Sequence, residues 1–249
     1  MKVQYIIGRN PVLEVLKTEK EIEKIYIAKG ELKGSIKKII NIAKDKNIVI
    51  QYVDKKKLNQ IAQGVNHQGV AALVTPYDYS SIDDILNKAR ETNKPPFIVI
   101  LDGIEDPHNL GAIVRTAECA GVHGIIIPKR RAASVTETVY KSSAGAVEHM
   151  LIAKVSNIST TIDRLKKEGL WIYGADAAGE NYYFDTDLKG PVALVIGSEG
   201  KGLSKLVKEK CDFLIKIPMF GKVSSLNASN AASILIYEVV RQGYGKEKE

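Results

Sequence analysis

The sequence predicts an α/β protein in two parts, and three observations carry that prediction. Six apolar runs of strand length, Phe97–Leu101, Gly124–Ile127, Leu151–Val155, Leu170–Gly174, Val192–Ile196 and Phe213–Ile217, occupy the C-terminal part, most of them separated by stretches of helical length. Strands that are apolar throughout are buried on both faces, so interleaved helices imply a parallel sheet covered on both sides. A second, shorter alternation fills the first 75 residues, and a proline-bearing stretch lies between the two.

Taken in order, the N-terminal part offers a strand at 25–28, a helix at 35–47, a strand at 48–53, a helix at 55–63 and a strand at 70–74. Pro76 to Pro96 reads as the boundary, with a short helix at 82–90 that Ser81 caps and acidic residues open. The expected organisation is therefore a small domain at 1–75, a linker at 76–95 and a larger domain at 96–249. The charged tail Lys246–Glu249 is expected to fray.

Composition narrows the function classes. With 249 residues, 45% hydrophobic and 26% charged, the chain supports a buried core, and no apolar run approaches the roughly 18 residues that span a bilayer. A cytoplasmic protein without membrane attachment is expected. Cys119 and Cys211 stand outside any CxxC or Cys/His pattern and are expected to be buried, reduced thiols. No HExxH or carboxylate cluster has metal-ligand spacing, so no metal is expected. His67, His108, His123 and His149 are scattered and expected at surface or capping positions. The net charge of +7 is carried by the first 75 residues, with 14 Lys and Arg against 7 Asp and Glu, while the remainder balances at 22 against 22. Such a basic domain suits an anionic partner such as nucleic acid.

Three polar segments follow apolar runs where a sheet's strands end, the usual place for a ligand site. The first is Asn109-Leu-Gly-Ala-Ile-Val-Arg115-Thr116, and the second is Gly197-Ser-Glu199-Gly-Lys-Gly202-Leu203. The third joins Ile217-Pro218-Met219 to Ser225-Leu226-Asn227-Ala-Ser229. The glycine spacing fits neither the dinucleotide GxGxxG nor a P-loop, which disfavours NAD and nucleoside triphosphates. Helix capping explains Asn109 alone, and an ion pair explains Arg115 or Glu199 alone, but neither explains the three segments together. Lys129-Arg130-Arg131, after Pro128, forms a basic loop that either holds phosphate or is a solvated turn.

These segments resemble the motifs of the SPOUT-class RNA ribose methyltransferases of the TrmH type. The N-terminal segments Gly8-Arg-Asn-Pro-Val-Leu-Glu-Val15 and Asn66-His-Gln-Gly-Val70 are most similar to the RlmB branch, the 23S rRNA guanosine-2'-O-methyltransferases. The resemblance implies an L30e/L7Ae-like domain that holds rRNA, a parallel sheet closed by a C-terminal trefoil knot, and a homodimer with its site near the subunit interface. It implies S-adenosyl-L-methionine as cofactor, contacted by Gly197, Gly202, Ile217, Met219 and Leu226. It implies catalytic roles for Arg115, Asn109, Glu199, Ser225 and Asn227. The apolar helix 231–240 is a candidate for the dimer surface or, equally, for core packing.

The implied chemistry is an in-line attack of a ribose 2'-hydroxyl on an activated methyl group, without a covalent enzyme intermediate. Arg115 either removes the hydroxyl proton or stays charged and stabilises the developing alkoxide, since a free guanidinium has a pKa above about 12. Three alternatives share features of this sequence. A tRNA ribose methyltransferase has the same motifs, and a resistance methylase acting on an rRNA adenosine has a similar front domain. A non-catalytic rRNA-binding protein needs the basic domain but not all five polar residues.

Overall fold

A computed structural model describes residues 4–18, 20, 22–30, 34–74 and 77–244. Two compact units emerge, Met1–Asp78 with Ser134–Glu137, and Tyr79–Ala133 with Thr138–Glu249. Pro76 and the charged tail lie outside the described residues.

The first unit holds β1 (Gln4–Ile7), α1 (Arg9–Val15), β2 (Ile22–Ala28), α2 (Ser35–Asp45), β3 (Val49–Val53), α3 (Lys55–Ala62) and β4 (Val70–Val74). Its sheet runs β1-β4-β2-β3, antiparallel except for the β2–β3 pair. Alternation along β4 divides the core: Val70, Ala72 and Val74 pack with α1 and α2 residues such as Val12 and Ile39, whereas Ala71 packs with Leu58 of α3. Helices therefore cover both faces. β1 and α1 had no counterpart in the sequence expectation, because four residues of strand are a short signal and Pro11 reads as a breaker. Pro11 sits in the first turn of α1, where a missing amide hydrogen costs nothing.

The rest of the chain adds α4 (Ile82–Glu91), β5 (Phe97–Asp102), α5 (Pro107–Cys119), β6 (Gly124–Pro128), α6 (Glu137–Ser142), β7 (Ile152–Val155) and α7 (Ile158–Lys167). It continues with β8 (Trp171–Ala175), β9 (Asn181–Tyr182), β10 (Val192–Gly197), α8 (Lys205–Lys210), β11 (Phe213–Lys216) and α9 (Ala228–Tyr244). Seven parallel strands lie in the order β7-β6-β5-β10-β8-β11-β9. On one face Ile98, Ile100, Ala193 and Val195 pack with Ile85 of α4, Ile162 of α7 and Val207 of α8. The alternate residues Val99, Leu101, Leu194 and Ile196 are equally buried, and α5 and α9 pack on that side against β6, β10 and each other. An α/β fold with a covered parallel sheet is what the apolar runs predicted.

Residues 76–95, read from the sequence as a linker, include α4, whose Ile85 and Leu86 belong to this core. Gly124 makes room for it, since a Cβ there would stand 2.4 Å from Ile85 Cγ1. The helix starts as expected, with Ser81 and Asp84 forming a reciprocal capping box. Cys119 is exposed rather than buried, because it ends α5 on the face away from Leu110, Ile113 and Ala117; Cys211 is half-buried. His123 is buried, accepting the Phe97 amide at Nδ1 (3.0 Å) and meeting Thr92 Oγ1 at Nε2 (3.0 Å). No helix among the described residues is long and apolar enough to cross a membrane.

Candidate active site

The central pair β5 and β10 marks the place where the sheet's connectivity changes direction, since β6 and β7 continue on one side and β8 and β11 on the other. Crevices at the carboxyl ends of strands open at such a point. A cleft of about 760 Å³ lies there, lined among others by Asp102, Asn109, Arg130, Arg131, Glu199 and Gly202. The basic loop after β6 is therefore part of the same cleft wall as the first two motifs.

The loop after β10 is a tight hairpin. Ser198 and Gly202 exchange both backbone hydrogen bonds (3.1 and 2.9 Å), with Gly200 and Gly202 at φ +79° and +65°. Gly197 is required because Gly202 passes directly over it: a Cβ would stand 2.2 Å from the Gly202 carbonyl carbon. Both glycines thus serve the hairpin itself, in addition to the cofactor contact that the resemblance implied for them. The turn presents Glu199 at its tip.

Asn109 does not open its helix. Asp106 caps α5 by accepting the His108 amide (2.9 Å), and Pro107 follows at the first helical position. Asn109 is then the third helical residue, buried, with its side chain free for other work. Its Nδ2 donates to Glu199 Oε1 (3.0 Å), and its Oδ1 accepts from Asn227 Nδ2 (2.9 Å).

Asn227 holds the third corner and caps α9. Its Oδ1 accepts from the Ser229 amide (2.9 Å), Ser229 Oγ (2.5 Å) and the Asn230 amide (3.3 Å), which turns Nδ2 toward Glu199 Oε1 at 2.6 Å. The same carboxylate oxygen accepts the Ala228 amide (3.1 Å). One oxygen of Glu199 therefore gathers three N–H donors, and all three motifs meet on it. Charge-assisted bonds of this kind are short and directional.

The structure does not bring every expected residue into this cluster. Arg115 and Ser225 are exposed and enter no hydrogen bond among the described residues. Arg115 follows Asn109 by six residues, about 600° of helical rotation, so it projects from a different face of α5. Of the five residues expected to touch a cofactor, Gly202 lines the cleft. Ile217, Met219 and Leu226 lie in the irregular segment between β11 and α9, and Gly197 ends β10. Two contributors were given no role in the sequence expectation, although Ser229 stood in its third segment. Asp102 accepts the Ser204 amide (2.7 Å) and anchors the far end of the hairpin loop; Ser229 fixes the Asn227 amide. Asp102 could have been found as the polar residue ending the first long apolar run.

Residues 96–237 match the SpoU rRNA Methylase family, and residues 5–80 match the RNA 2'-O ribose methyltransferase substrate-binding family. The chain belongs to the SpoU methylase family. It is 52% identical, over 96% of this chain and 95% of the relative, to the Bacillus subtilis protein YacO, assigned to the TrmH family of tRNA/rRNA methyltransferases. A Staphylococcus aureus protein of the same assignment is 48% identical over 97% of each chain. Among solved structures, the SpoU methyltransferase AviRb of Streptomyces viridochromogenes, in complex with AdoMet, aligns with a TM-score of 0.62 at 25% identity, covering 98% of this chain and 91% of that one. The TrmH/SpoU tRNA modifying enzyme of A. aeolicus aligns at 0.57 and 30% identity, over 66% of this chain and 85% of that one. This SpoU-family chain is accordingly an RNA methyltransferase, and the Asn109–Glu199–Asn227 cluster lies within its matched catalytic part.

Proposed function

We propose that the chain transfers a methyl group from S-adenosyl-L-methionine to the 2'-hydroxyl of a guanosine ribose in 23S rRNA, in the cytoplasm. The observation that carries this reading is the meeting of three separated motifs on Glu199 at the mouth of a cleft with a basic wall.

The residues present fit the cofactor. The segment 217–227 has no regular structure, and Met219 and Leu226 keep apolar side chains 39% and 36% exposed beside that backbone. Backbone amides and carbonyls interleaved with apolar side chains suit an adenine ring and a methionyl chain, so we assign Gly197, Gly202, Ile217, Met219 and Leu226 to hold it. Bound there, S-adenosyl-L-methionine supplies an electrophilic methyl carbon. The trefoil knot is part of the same proposal: β11 lies beyond β8 in the sheet, yet α9 returns to pack on β10, so the intervening segment must cross back.

Asn109, Asn227 and Glu199 then orient the ribose hydroxyl, with Ser225 adding a hydroxyl at the rim. Arg115 activates that hydroxyl or stabilises its developing charge. Its distance from the cluster around α5 supports a homodimer in which the partner's Arg115 completes the site. The basic 1–75 part, with its Gly8–Val15 and Asn66–Val70 segments, favours the RlmB branch over tRNA enzymes and supports an L30e/L7Ae-like rRNA-holding role; residues 76–95 lead from it into 96–249, with α4 already part of the larger core.

Labelled methyl transfer to total RNA from a host lacking the corresponding enzyme tests the proposal. Recovery of 2'-O-methylguanosine from large-subunit rRNA is the expected result. Label in tRNA or on an adenosine overturns the branch, and no label in any RNA overturns the reaction.

A further inference from the structure

The basic loop that follows β6 has no part in the cluster around Glu199, yet it lines the same cleft. The Lys129 amide donates to Val155 O (2.7 Å) at the end of β7, and the Ala133 amide donates to Ile104 O (2.7 Å) in the loop after β5. Between these pins Arg131 takes φ +56°, a left-handed backbone that residues with a Cβ adopt at a cost. Such conformations persist where the surrounding structure dictates them, and they concentrate at binding sites. β5 lies between β6 and β10 in the sheet, so the loop after β6 and the hairpin after β10 flank the loop after β5. Arg130 and Arg131 line the cleft from the first side and Lys201 from the second.

The charges of this cleft are unevenly committed. Asp102, Glu105, Asp106 and Glu199 also line it. Three of these carboxylates already serve N–H donors: Asp102 accepts the Ser204 amide (2.7 Å), Asp106 accepts the His108 amide (2.9 Å), and Glu199 gathers its three. The side chains of Arg130, Arg131 and Lys201 enter no hydrogen bond or ion pair among the described residues. Three free cations therefore share the cleft with one carboxylate, Glu105, that is equally without a partner. A turn that served solvation alone would need neither two pinned ends nor a left-handed arginine. The complement that this arrangement lacks is an anion.

In RNA the 2'-hydroxyl and the 3'-phosphate sit on adjacent carbons of one ribose, so whatever fixes that phosphate also fixes the hydroxyl. We propose that Arg130, Arg131 and Lys201 clamp the phosphodiester next to the ribose being methylated. The two guanidinia grip its oxygens with paired N–H donors, and Lys201 adds a point charge from the facing side. Their role is to place the ribose, not to move its proton. The inference rests on the RNA-methylating reading above and assigns the free cations of the cleft to one phosphate of that substrate.

The test uses the full chain, S-adenosyl-L-methionine and deproteinised 23S rRNA. All three side chains are exposed, so Arg130→Gln/Arg131→Gln leaves the core untouched. Its kcat/KM for RNA is expected to fall about a hundredfold, the size of a misplaced reactant, and the salt dependence of RNA binding to lose about one phosphate contact. Arg130→Lys/Arg131→Lys keeps the charges without the planar fork and is expected to restore the salt dependence and part of the rate. Lys201→Gln moves both readouts in the direction of the glutamine pair, by less. S-adenosyl-L-methionine affinity stays at the wild-type value throughout; a fall in it with an unaltered salt dependence gives the cations to the cofactor's carboxylate and overturns the clamp. Lys189→Gln is the control, the same charge change at an exposed site before β10, at the opposite ends of the strands. Wild-type kcat/KM in the glutamine pair, or an equal loss in the control, overturns the clamp while the enzyme's methyl transfer stands. A wild-type chain that methylates no RNA removes the reaction and this inference with it.

Discussion

Asn227→Asp separates the two jobs of one side chain. The carboxylate keeps the cap of α9, since Asp and Asn cap about equally and a negative charge suits a helix N-terminus. At the other end, the amide that donates to Glu199 Oε1 at 2.6 Å and to Asn109 Oδ1 at 2.9 Å becomes an acceptor. Two lost hydrogen bonds cost about 1 kcal/mol each. Two carboxylate oxygens at that spacing repel by about 1.6 kcal/mol with water-like screening, the appropriate limit because Glu199 is exposed. The fold relieves the repulsion by turning Glu199 into water, but that rotation is itself the loss of the site. Steady-state methyl transfer should therefore show kcat/KM reduced by about two to three powers of ten, with Tm lowered by less than roughly 3 °C. Asn227→Ala, which also loses the cap, should cost about 1 kcal/mol more in stability. Activity within threefold of wild type in Asn227→Asp would refute the role given to the cluster.

Three further outcomes are expected. Arg115→Ala should lower turnover by orders of magnitude and leave S-adenosyl-L-methionine affinity nearly intact, and mixed dimers with an inactive Asn109→Ala chain should regain activity; mixtures as inactive as their parents would place both residues in one chain's site. Gly197→Ala forces a Cβ to within 2.2 Å of the Gly202 backbone, so calorimetry should show a Tm drop corresponding to about 1–3 kcal/mol, and an unchanged Tm would contradict the hairpin packing. His123 is buried, and burial holds its pKa below the ordinary 6.5; the unfolded chain therefore takes up the proton first, so stability is present above that value and lost as pH falls below it. Denaturant titrations from pH 7.5 to 5 should show this decline, and a variant without the imidazole, such as His123→Gln, should flatten it.

The parts that were legible in the sequence share one physical property. β5, β6 and β10 are apolar at nearly every position because both faces are covered, and Ser81 with Asp84 writes a cap directly into the chain. Elements whose signal is short or shared were not legible: β9 has two residues, and α1 hides behind Pro11. At the site, the motif residues Asn109, Glu199 and Asn227 were identified, but the reason each is available was not. Asn109 looked like a cap because nothing in a linear reading ranks it against Asp106 and Pro107, which take that role. For Gly197, expected from the resemblance as a cofactor contact, the packing under Gly202 was not legible, because that crossing joins residues that only the folded hairpin brings together.

Arg115 shows how the fold constrains the chemistry. Asn109 and Thr116 stand seven residues apart on α5, nearly two full turns, and therefore share a face. Both are tied to α9, Asn109 through Asn227 and Thr116 through a hydroxyl contact of 3.1 Å with Ser233, whose Oγ also donates to Ser229 O. These two clamps set the rotation of α5 against α9. The rotation that delivers Asn109 to Glu199 is the one that turns Arg115 outward, to an exposed position. On the proposed dimeric reading, a ribose held at the cluster meets the guanidinium of a second copy, so variants that are monomeric in solution should lose turnover, and a fully active monomer would refute that reading.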